Sequence, residues 1–555
     1  MLTTTLDIST TGYFPKIISD YLNGKPVLKP FYKYPPEAGG FRDAVQNRKK
    51  IPVDRKTLVE VIRDQYLQSD IGTERFDSVN RNIISLENPD TFTVTTGHQL
   101  CLFTGPLYFI YKILSAVKLA GELNRMYQGK NGCHFVPVYW MVSEDHDFRE
   151  INHIHLFGKK IEWQADHGCT GKVEGSKPAG KISTEGITKV LEELKNILGP
   201  SSETDKLMNL FRSAYCDHRS IADATRWLVN ELFAEYGLVI IDGNDSRLKR
   251  KFTAVMEKDI FENIPHKIID STSTRLKESG YDTQINAREI NCFFLSVDFR
   301  ERIVRGDPDT FRILNTGLTF SDSELRKELA VHPERFSPNV GLRPLYQETI
   351  LPNVAYVGGS NEIAYWMQLP DIFDHFKVNF PVLIVRNSVL WIDKTNLERM
   401  KKLGIPEENI FLPEDALIKN YLLGEPDGVV SVKEESDNIS AIFETLSEKA
   451  GVIDKTFSSF VEAEKQKTLK GLHAIEEKML RAGKKKNETS VQQIINIKLK
   501  LFPPDGRQLQ ERHENFIPWY LKYGQEYFRI LTERFNPLGG KIAIFREDYP
   551  PVPEK

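Results

Sequence analysis

Three short stretches hold residue types that could do chemistry. Thr96-Gly97-His98-Gln99 follows the β-rich run Phe92-Thr93-Val94-Thr95 and precedes Phe103-Thr104-Gly105-Pro106. Glycine lets the chain turn tightly where a strand ends, which leaves His98 and Gln99 at the lip. Gly105 and Pro106 then open a helix, with the proline suited to its first turn. The free N–H groups of such a turn can receive a carboxylate or phosphate. The plain alternative is a tight strand-to-helix turn with a hydrogen-bonded core histidine.

The second stretch is the richest. Ser143-Glu144-Asp145-His146-Asp147, then Glu150, Asn152, His153 and His155, follow the apolar run from Phe135 to Val142. Crowded carboxylates raise one another's pKa and histidine titrates near neutrality, which suits general acid/base work or holding a cation. An exposed acidic loop is the bland reading. His and Asp are also zinc ligand types, but no His-Glu-x-x-His occurs, so no zinc is expected. The third stretch is Tyr356-Val357-Gly358-Gly359-Ser360-Asn361-Glu362-Ile363-Ala364-Tyr365-Trp366. It reads as a loop entering a helix capped by Ser360 or Asn361, where backbone N–H groups could cradle an anion or simply start the helix. Gly175 to Lys181 begins like a phosphate-binding loop, but Ile182 stands where Ser or Thr should follow and Pro178 interrupts it.

The elements that must position these stretches are short apolar strands. Besides Phe92–Thr95 and Phe135–Val142, the runs Gly237–Ile241 and Pro381–Val385 end in Asp242-Gly243 and Arg386. Continuous apolar runs of this length suit strands buried on both faces. Tyr108 to Met126 and Ala222 to Tyr236 carry apolar residues at helical spacing. Alternating strands and helices predict an α/β, Rossmann-like, doubly wound and mostly parallel sheet, with ligands beyond the carboxyl ends of its strands. From Asp437 the pattern changes. Ile439, Ile442, Leu446, Ala450, Ile453, Phe457 and Phe460 alternate by threes and fours, the spacing of a coiled-coil seam. The looser seam runs to Met479, Gly483 to Asn487 reads as a turn, and a second helix carries Val491, Ile494, Ile497 and Leu501. The expected organisation is a core over 1–386, an antiparallel coiled-coil arm over 387–511, and a C-terminal helical segment, 512–555, packed on the core.

The chain has 555 residues, 40% apolar and 27% charged, too long for one compact core and ordinary for a folded protein. Its 74 basic and 77 acidic residues leave a formal net charge of -3, which gives no field for holding nucleic acid. Five cysteines without a Cys-x-x-Cys fit reduced thiols in a cytoplasmic protein. No run reaches the ~20 apolar residues of a membrane span, and no signal peptide is expected.

At these stretches the sequence resembles the cysteine-adding enzymes of bacillithiol synthesis. The resemblance rests on Thr96-Gly97-His98-Gln99, Thr104-Gly105-Pro106, Pro137-Val138-Tyr139-Trp140-Met141, Glu144-Asp145-His146-Asp147-Phe148, Glu150-Ile151-Asn152-His153 and Glu362-Ile363-Ala364-Tyr365-Trp366. Their order matches along nearly the full chain, and Gly358-Gly359-Ser360-Asn361 departs from the pattern. The resemblance implies a Rossmann-like core, a coiled-coil arm that forms a homodimer, and ligation of cysteine to glucosaminyl-malate. ATP is the natural driver, with Mg2+ a possible companion. The convergence of these groups at strand ends, and not the resemblance, suggests roles. His98 would stabilise developing charge, and Asp145, His146 or Asp147 would orient the amine and take its proton. Backbone near Gly97 and Gly105 would bind phosphate, and Glu144 or Glu150 would meet sugar hydroxyls or magnesium. Thr96, Gln99, Thr104, Pro106, Asn152, His153, Gly358, Asn361, Glu362, Tyr365 and Arg386 complete the expected binding set. Two rivals stand beside it: a zinc-dependent amide hydrolase using His98, His146, Asp147 and His153, and a non-catalytic coiled-coil interaction protein.

Overall fold

A computed structural model describes residues 3–71, 77–127, 132–164, 177–307, 309–425 and 431–547. The chain divides into two units. The larger comprises Asp7–Val389 and Glu511–Ala543, and the smaller Met1–Leu6, Leu390–Gln510 and Ile544–Lys555.

The larger unit is built on five strands: β1 (Thr91–His98), β2 (His134–Met141), β3 (Val239–Asp242), β4 (Asn353–Gly358) and β5 (Val382–Val385). Their order is β5-β4-β1-β2-β3, and every pairing is parallel. Read from the other edge this is 3-2-1-4-5, the doubly wound Rossmann order, whose switch point lies between β1 and β4. All eight residues of β1 are buried, as the unbroken run of apolar and threonine side chains predicts. Helix α1 (Leu107–Tyr127) crosses from β1 to β2. Its Ala116, Leu119, Ala120 and Leu123 pack with Phe92, Val94, Phe135, Val354, Val382 and Ile384 in one cluster. Each large apolar side chain sealed there contributes about 2 kcal/mol.

The connections are long. Between β2 and β3 the chain makes a hairpin, His153–Leu156 against Lys159–Glu162, then helices that include α2 (Ile221–Phe233). The hairpin turns on Phe157 and Gly158, both at positive φ, as a two-residue turn that follows strand twist requires. Between β3 and β4 lies a five-stranded antiparallel sheet, then α3 (Arg343–Ile350). That sheet has no counterpart in the sequence reading. β4 was also unforeseen: the third stretch leaves this strand before entering α4 (Ser360–Trp366).

In the smaller unit, α5 (Lys433–Ile453) and α6 (Lys455–Lys486) form the antiparallel hairpin, followed by α7 (Glu488–Leu501). The turn falls at Asp454 and not at Gly483–Asn487, where α6 runs on to Lys486. Asp454 is extended and its carboxylate accepts from the Thr456 N–H, the cap that starts α6. Lys465 Nζ lies 3.2 Å from Glu444 Oε1, across the two antiparallel helices. Apolar residues keep a three-and-four spacing on both sides of the cap, from Ile442 and Leu446 to Phe457 and Phe460, and hide it from pattern reading. The lysines at 484–486 end α6, where a helix favours positive charge. Helix α7 buries Val491, Ile494, Ile497 and Leu501.

No helix among the described residues is long and apolar enough to cross a membrane.

Candidate active site

The carboxyl ends of β1, β2 and β4 open into a cavity of about 500 Å³ at the switch point. From β1 come Gly97, His98 and Gln99, and from the β2 turn Val142 and Asp145. The turn after β4 gives Gly359, α4 gives Ser360, Asn361, Glu362 and Tyr365, and Arg386 follows β5. Eight of the sequence candidates therefore meet here: Gly97, His98, Gln99, Asp145, Asn361, Glu362, Tyr365 and Arg386.

His98 is 8% exposed. Its ring stacks on Tyr108 at 5.2 Å and its Nδ1 lies 3.1 Å from the Gln99 carbonyl oxygen. Burial, then Lys112, then Arg386 hold the imidazole well below its ordinary pKa, with the Gln99 carbonyl pulling the other way. The ring is therefore neutral. Donating Nδ1–H to Gln99 leaves Nε2 as an acceptor, which makes His98 a base or an orienting group and not a cation. Asp145 is the reverse case. Burial raises its pKa, but Arg343 and Arg300 and the bonds from Gln99 and His146 outweigh that and keep it ionised. Its Oδ2 accepts from Gln99 Nε2 at 2.8 Å, and that same amide reaches Glu150 at 2.9 Å.

Lys112 is the main residue that the sequence reading missed. It stands inside α1, 5% exposed, and its ammonium bonds the Gly97 carbonyl at 2.9 Å and Glu362 Oε2 at 2.6 Å. Burial lowers its pKa and Glu362 restores part of it. Glu362 also accepts from the Gly359 N–H at 2.7 Å, so one carboxylate caps α4 and anchors the cation. A lysine amid the buried run Leu107–Leu123 was the available signal, since a buried lysine needs a partner. Arg343, Gln347, Tyr356 and Arg512 also line the cavity. Arg386 donates to Ser388 and, at 2.7 Å, to the buried Glu511. Four cationic side chains thus stand with three carboxylates, Asp145 and Glu362 on the wall and Glu511 behind Arg386, and the small positive excess favours anionic ligands.

Other candidates lie elsewhere. Thr104, Gly105 and Pro106 do not line the cavity. The Gly105 N–H bonds Leu102 and the Leu107 N–H bonds Glu514, so that turn offers no phosphate cradle. Gly105 is needed because a Cβ would lie 2.6 Å from that of Cys101, at φ 68°. Thr96 binds the Val357 carbonyl, and Gly358 packs against Ile363 and Glu362. Glu144 is taken by the wholly buried Lys249 and by the Ser337 hydroxyl and does not line the cavity. His146 accepts from Arg300 at 3.1 Å, and Asp147 is exposed at the start of a short helix. Neither lines the cavity, because the chain turns outward after Asp145. Asn152 ties the hairpin to Trp163, and His153 packs edge-on against His155, which stacks on His513 at 3.9 Å. Of the phosphate-loop decoy, residues 175 and 176 lie outside the described residues. Gly180 packs against Ser143, where a Cβ would come within 2.8 Å. Among the described residues no three His, Cys, Asp or Glu side chains are arranged to hold a metal.

Comparison with known proteins adds a family to this geometry. Residues 1–387 match the model of the bacillithiol biosynthesis BshC N-terminal Rossmann-like domain, and residues 389–547 its C-terminal coiled-coil domain. A relative from Flavobacterium psychrophilum is 39% identical over 98% of this chain and 100% of its own length. One from Flavobacterium johnsoniae is 39% identical over 97% and 98%, and one from Christiangramia forsetii 38% over 98% and 99%. All three bear the name "Putative cysteine ligase BshC".

Proposed function

The chain belongs to the BshC family of bacillithiol biosynthesis, and on that premise we propose that it is a ligase joining the carboxyl group of L-cysteine to the amine of glucosaminyl-malate. The observation that carries this reading is the cation-rich cavity at the sheet's switch point. Both substrates bring carboxylates, and the nucleotide that would drive the reaction brings phosphates. Lys112, Arg343, Arg386 and Arg512 supply matching charge. An amide does not form from a free carboxylate and amine in water without activation, so ATP would first convert the cysteine carboxylate into an adenylate or an acyl phosphate. The amine then attacks the acyl carbon, AMP or phosphate leaves, and the amine loses a proton. His98, neutral with an open Nε2, is the group suited to take that proton, and ionised Asp145 the group suited to orient it. Asp145 and Glu362 are already engaged by Gln99 and Lys112. Magnesium would therefore arrive on the nucleotide phosphates, as this cation commonly does.

The apolar face of the α5–α6 hairpin would seat a second copy of the chain, giving a homodimer. The deciding experiment incubates pure protein with cysteine, glucosaminyl-malate, ATP and magnesium, and reads products by mass spectrometry. Bacillithiol with AMP supports the adenylate route and bacillithiol with ADP the acyl phosphate. No bacillithiol from folded protein would overturn the reading.

A further inference from the structure

The cavity floor holds one polar atom that the chemistry above leaves idle. Gln347 lies one turn after Arg343 on α3, so the two side chains share the helix face that lines the cavity. Gln347 is 3% exposed, and its Nε2 donates to Glu348 Oε1 at 2.9 Å. That bond fixes which way the amide points. Its Oε1 has no protein partner among the described residues. A methyl group set on Gly97 would lie 3.9 Å from Gln347 Oε1 and 3.7 Å from the Tyr356 hydroxyl. The two oxygens therefore converge on the space above Gly97, which glycine keeps clear.

The amide is held from behind. Glu348 is wholly buried, and its Oε1 also accepts from Asn353 Nδ2 at 2.8 Å. Asn353 Oδ1 in turn accepts from the hydroxyls of Thr93 and Thr95 at 3.0 and 2.8 Å. Burial pushes the Glu348 carboxyl up to about 7, against the bonds from Gln347 and Asn353. The network runs from β1 through the start of β4 to the cavity floor and holds the Gln347 amide through Glu348 Oε1, while Glu348 Oε2 is buried without a partner. It aims one neutral acceptor into a space otherwise rich in cations. A carboxylate or phosphate finds donors in this cavity, and for an N–H group this amide oxygen stands beside His98 Nε2 and two carboxylates already engaged by Gln99 and Lys112.

Resting on the ligase reading, we propose that Gln347 Oε1, beside the Tyr356 hydroxyl, accepts an N–H from the primary amine of a substrate and so selects for it. Two substrates carry such a group, the α-amine of cysteine and the amine of the glucosamine ring. An acceptor that opens into the cavity without a protein partner is free to take a ligand N–H. Glu348 is a positioning residue that acts through Gln347.

Calorimetry of L-cysteine, glucosaminyl-malate and ATP binding to the full chain tests this, with wild type, Gln347→Met and Gln347→Glu compared. In Gln347→Met the Kd of one amine ligand should rise about tenfold, the loss of one hydrogen bond. ATP should shift by less than about twofold. The ligand that moves identifies the source. Gln347→Glu keeps an oxygen at the floor and trades the Nε2 bond to Glu348 for a charge that an ammonium can meet, so amine binding should persist in it; if the Met variant does not fold, loss of amine binding to folded Gln347→Glu overturns the inference. If cysteine is the source, 3-mercaptopropionate, which lacks the amine, should bind wild type and Gln347→Met equally. Unchanged binding of both amines to folded Gln347→Met, while wild type forms product, overturns this inference and leaves the ligase reading standing. A parallel weakening of all three ligands reduces Gln347 to a structural role and also overturns it. Wild type that neither binds an amine substrate nor forms product overturns the ligase reading, and this inference with it.

Discussion

The cavity and the helical hairpin leave opposite needs unmet. Around the cavity, polar and charged groups are buried: Lys112 is 5% exposed, Arg386 8% and Gln347 3%. Along the hairpin, apolar groups face water: Ile442 is 58% exposed and Phe460 65%, and α5 buries no residue at all. Buried charge is stable only with partners, and most of it here has protein partners fixed by the fold. What is left open among these cationic side chains, His98 Nε2 and the Gln347 amide oxygen, describes a ligand. Exposed apolar surface is stable in water only at a cost, and what would cover it is another apolar surface. Polar need points to small anionic and amine-bearing molecules, and apolar need to protein.

The sharpest way to break this contrast is at Lys112. Lys112→Met keeps the length of the side chain and strands Glu362 and the Gly97 carbonyl. It should cut product formation by at least about 100-fold and lower stability by about 3 kcal/mol in urea unfolding. Full turnover from the variant would remove Lys112 from the site. On the hairpin side, if the proposed homodimer forms on this face, Ile442→Asp with Phe460→Asp should halve the sedimenting mass, with the isolated chain destabilised by less than about 0.5 kcal/mol per site. An unchanged mass would remove this face from the proposed interface.

A weaker effect separates structural charge from site charge. Glu144→Gln leaves the buried ammonium of Lys249 without its counter-charge and should cost about 3 kcal/mol of stability, with KM for every substrate unchanged. A raised KM at normal stability would return Glu144 to the binding set. Smaller still is a pH effect at the imidazole stack. Burial, then His513, then His153 depress His155 from 6.5 to about 4. The folded state thus disfavours its protonation. The stability this contributes is complete above pH 6.5 and is lost as pH falls toward 4. Thermal melts between pH 7 and 4 should show a shallower acid decline for His155→Gln than for wild type. The smallest change is expected at His146→Gln and Asp147→Asn, both off the cavity wall. Turnover within about threefold of wild type fits side chains that touch no substrate, and a loss above about 100-fold would bring that loop into the reaction.

The sequence reading found β1, β2, α1 and the polar residues at the strand ends, because these signals are local. A strand buried on both faces must be apolar along its whole length, and a turn at its end must admit glycine. It placed too much weight on the density of charge in residues 143–155. Charge density does not say which way a side chain points, and Glu144 turns to Lys249 while Asp145 turns to the cavity. It missed Arg343 and Gln347, because two residues on one short helix carry no mark of chemistry until that helix is seated beside β1. It moved the hairpin turn by some thirty residues, because the three-and-four apolar spacing continues across the Asp454 cap.

By itself, the sequence determined the fold class, the presence of the coiled-coil arm, the family, and the strand end at Thr96-Gly97-His98-Gln99. Each rests on residues close together in the chain, where period and residue type are enough. Only the tertiary structure decided which charges are spent and which are free. Lys112 meets Glu362 across 250 positions of sequence, and Glu348 takes hold of Asn353 and, through it, of Thr93 and Thr95 on another strand. The free energy of a buried polar group depends on the partner within hydrogen-bond reach, and that partner is chosen by packing and not by spacing along the chain.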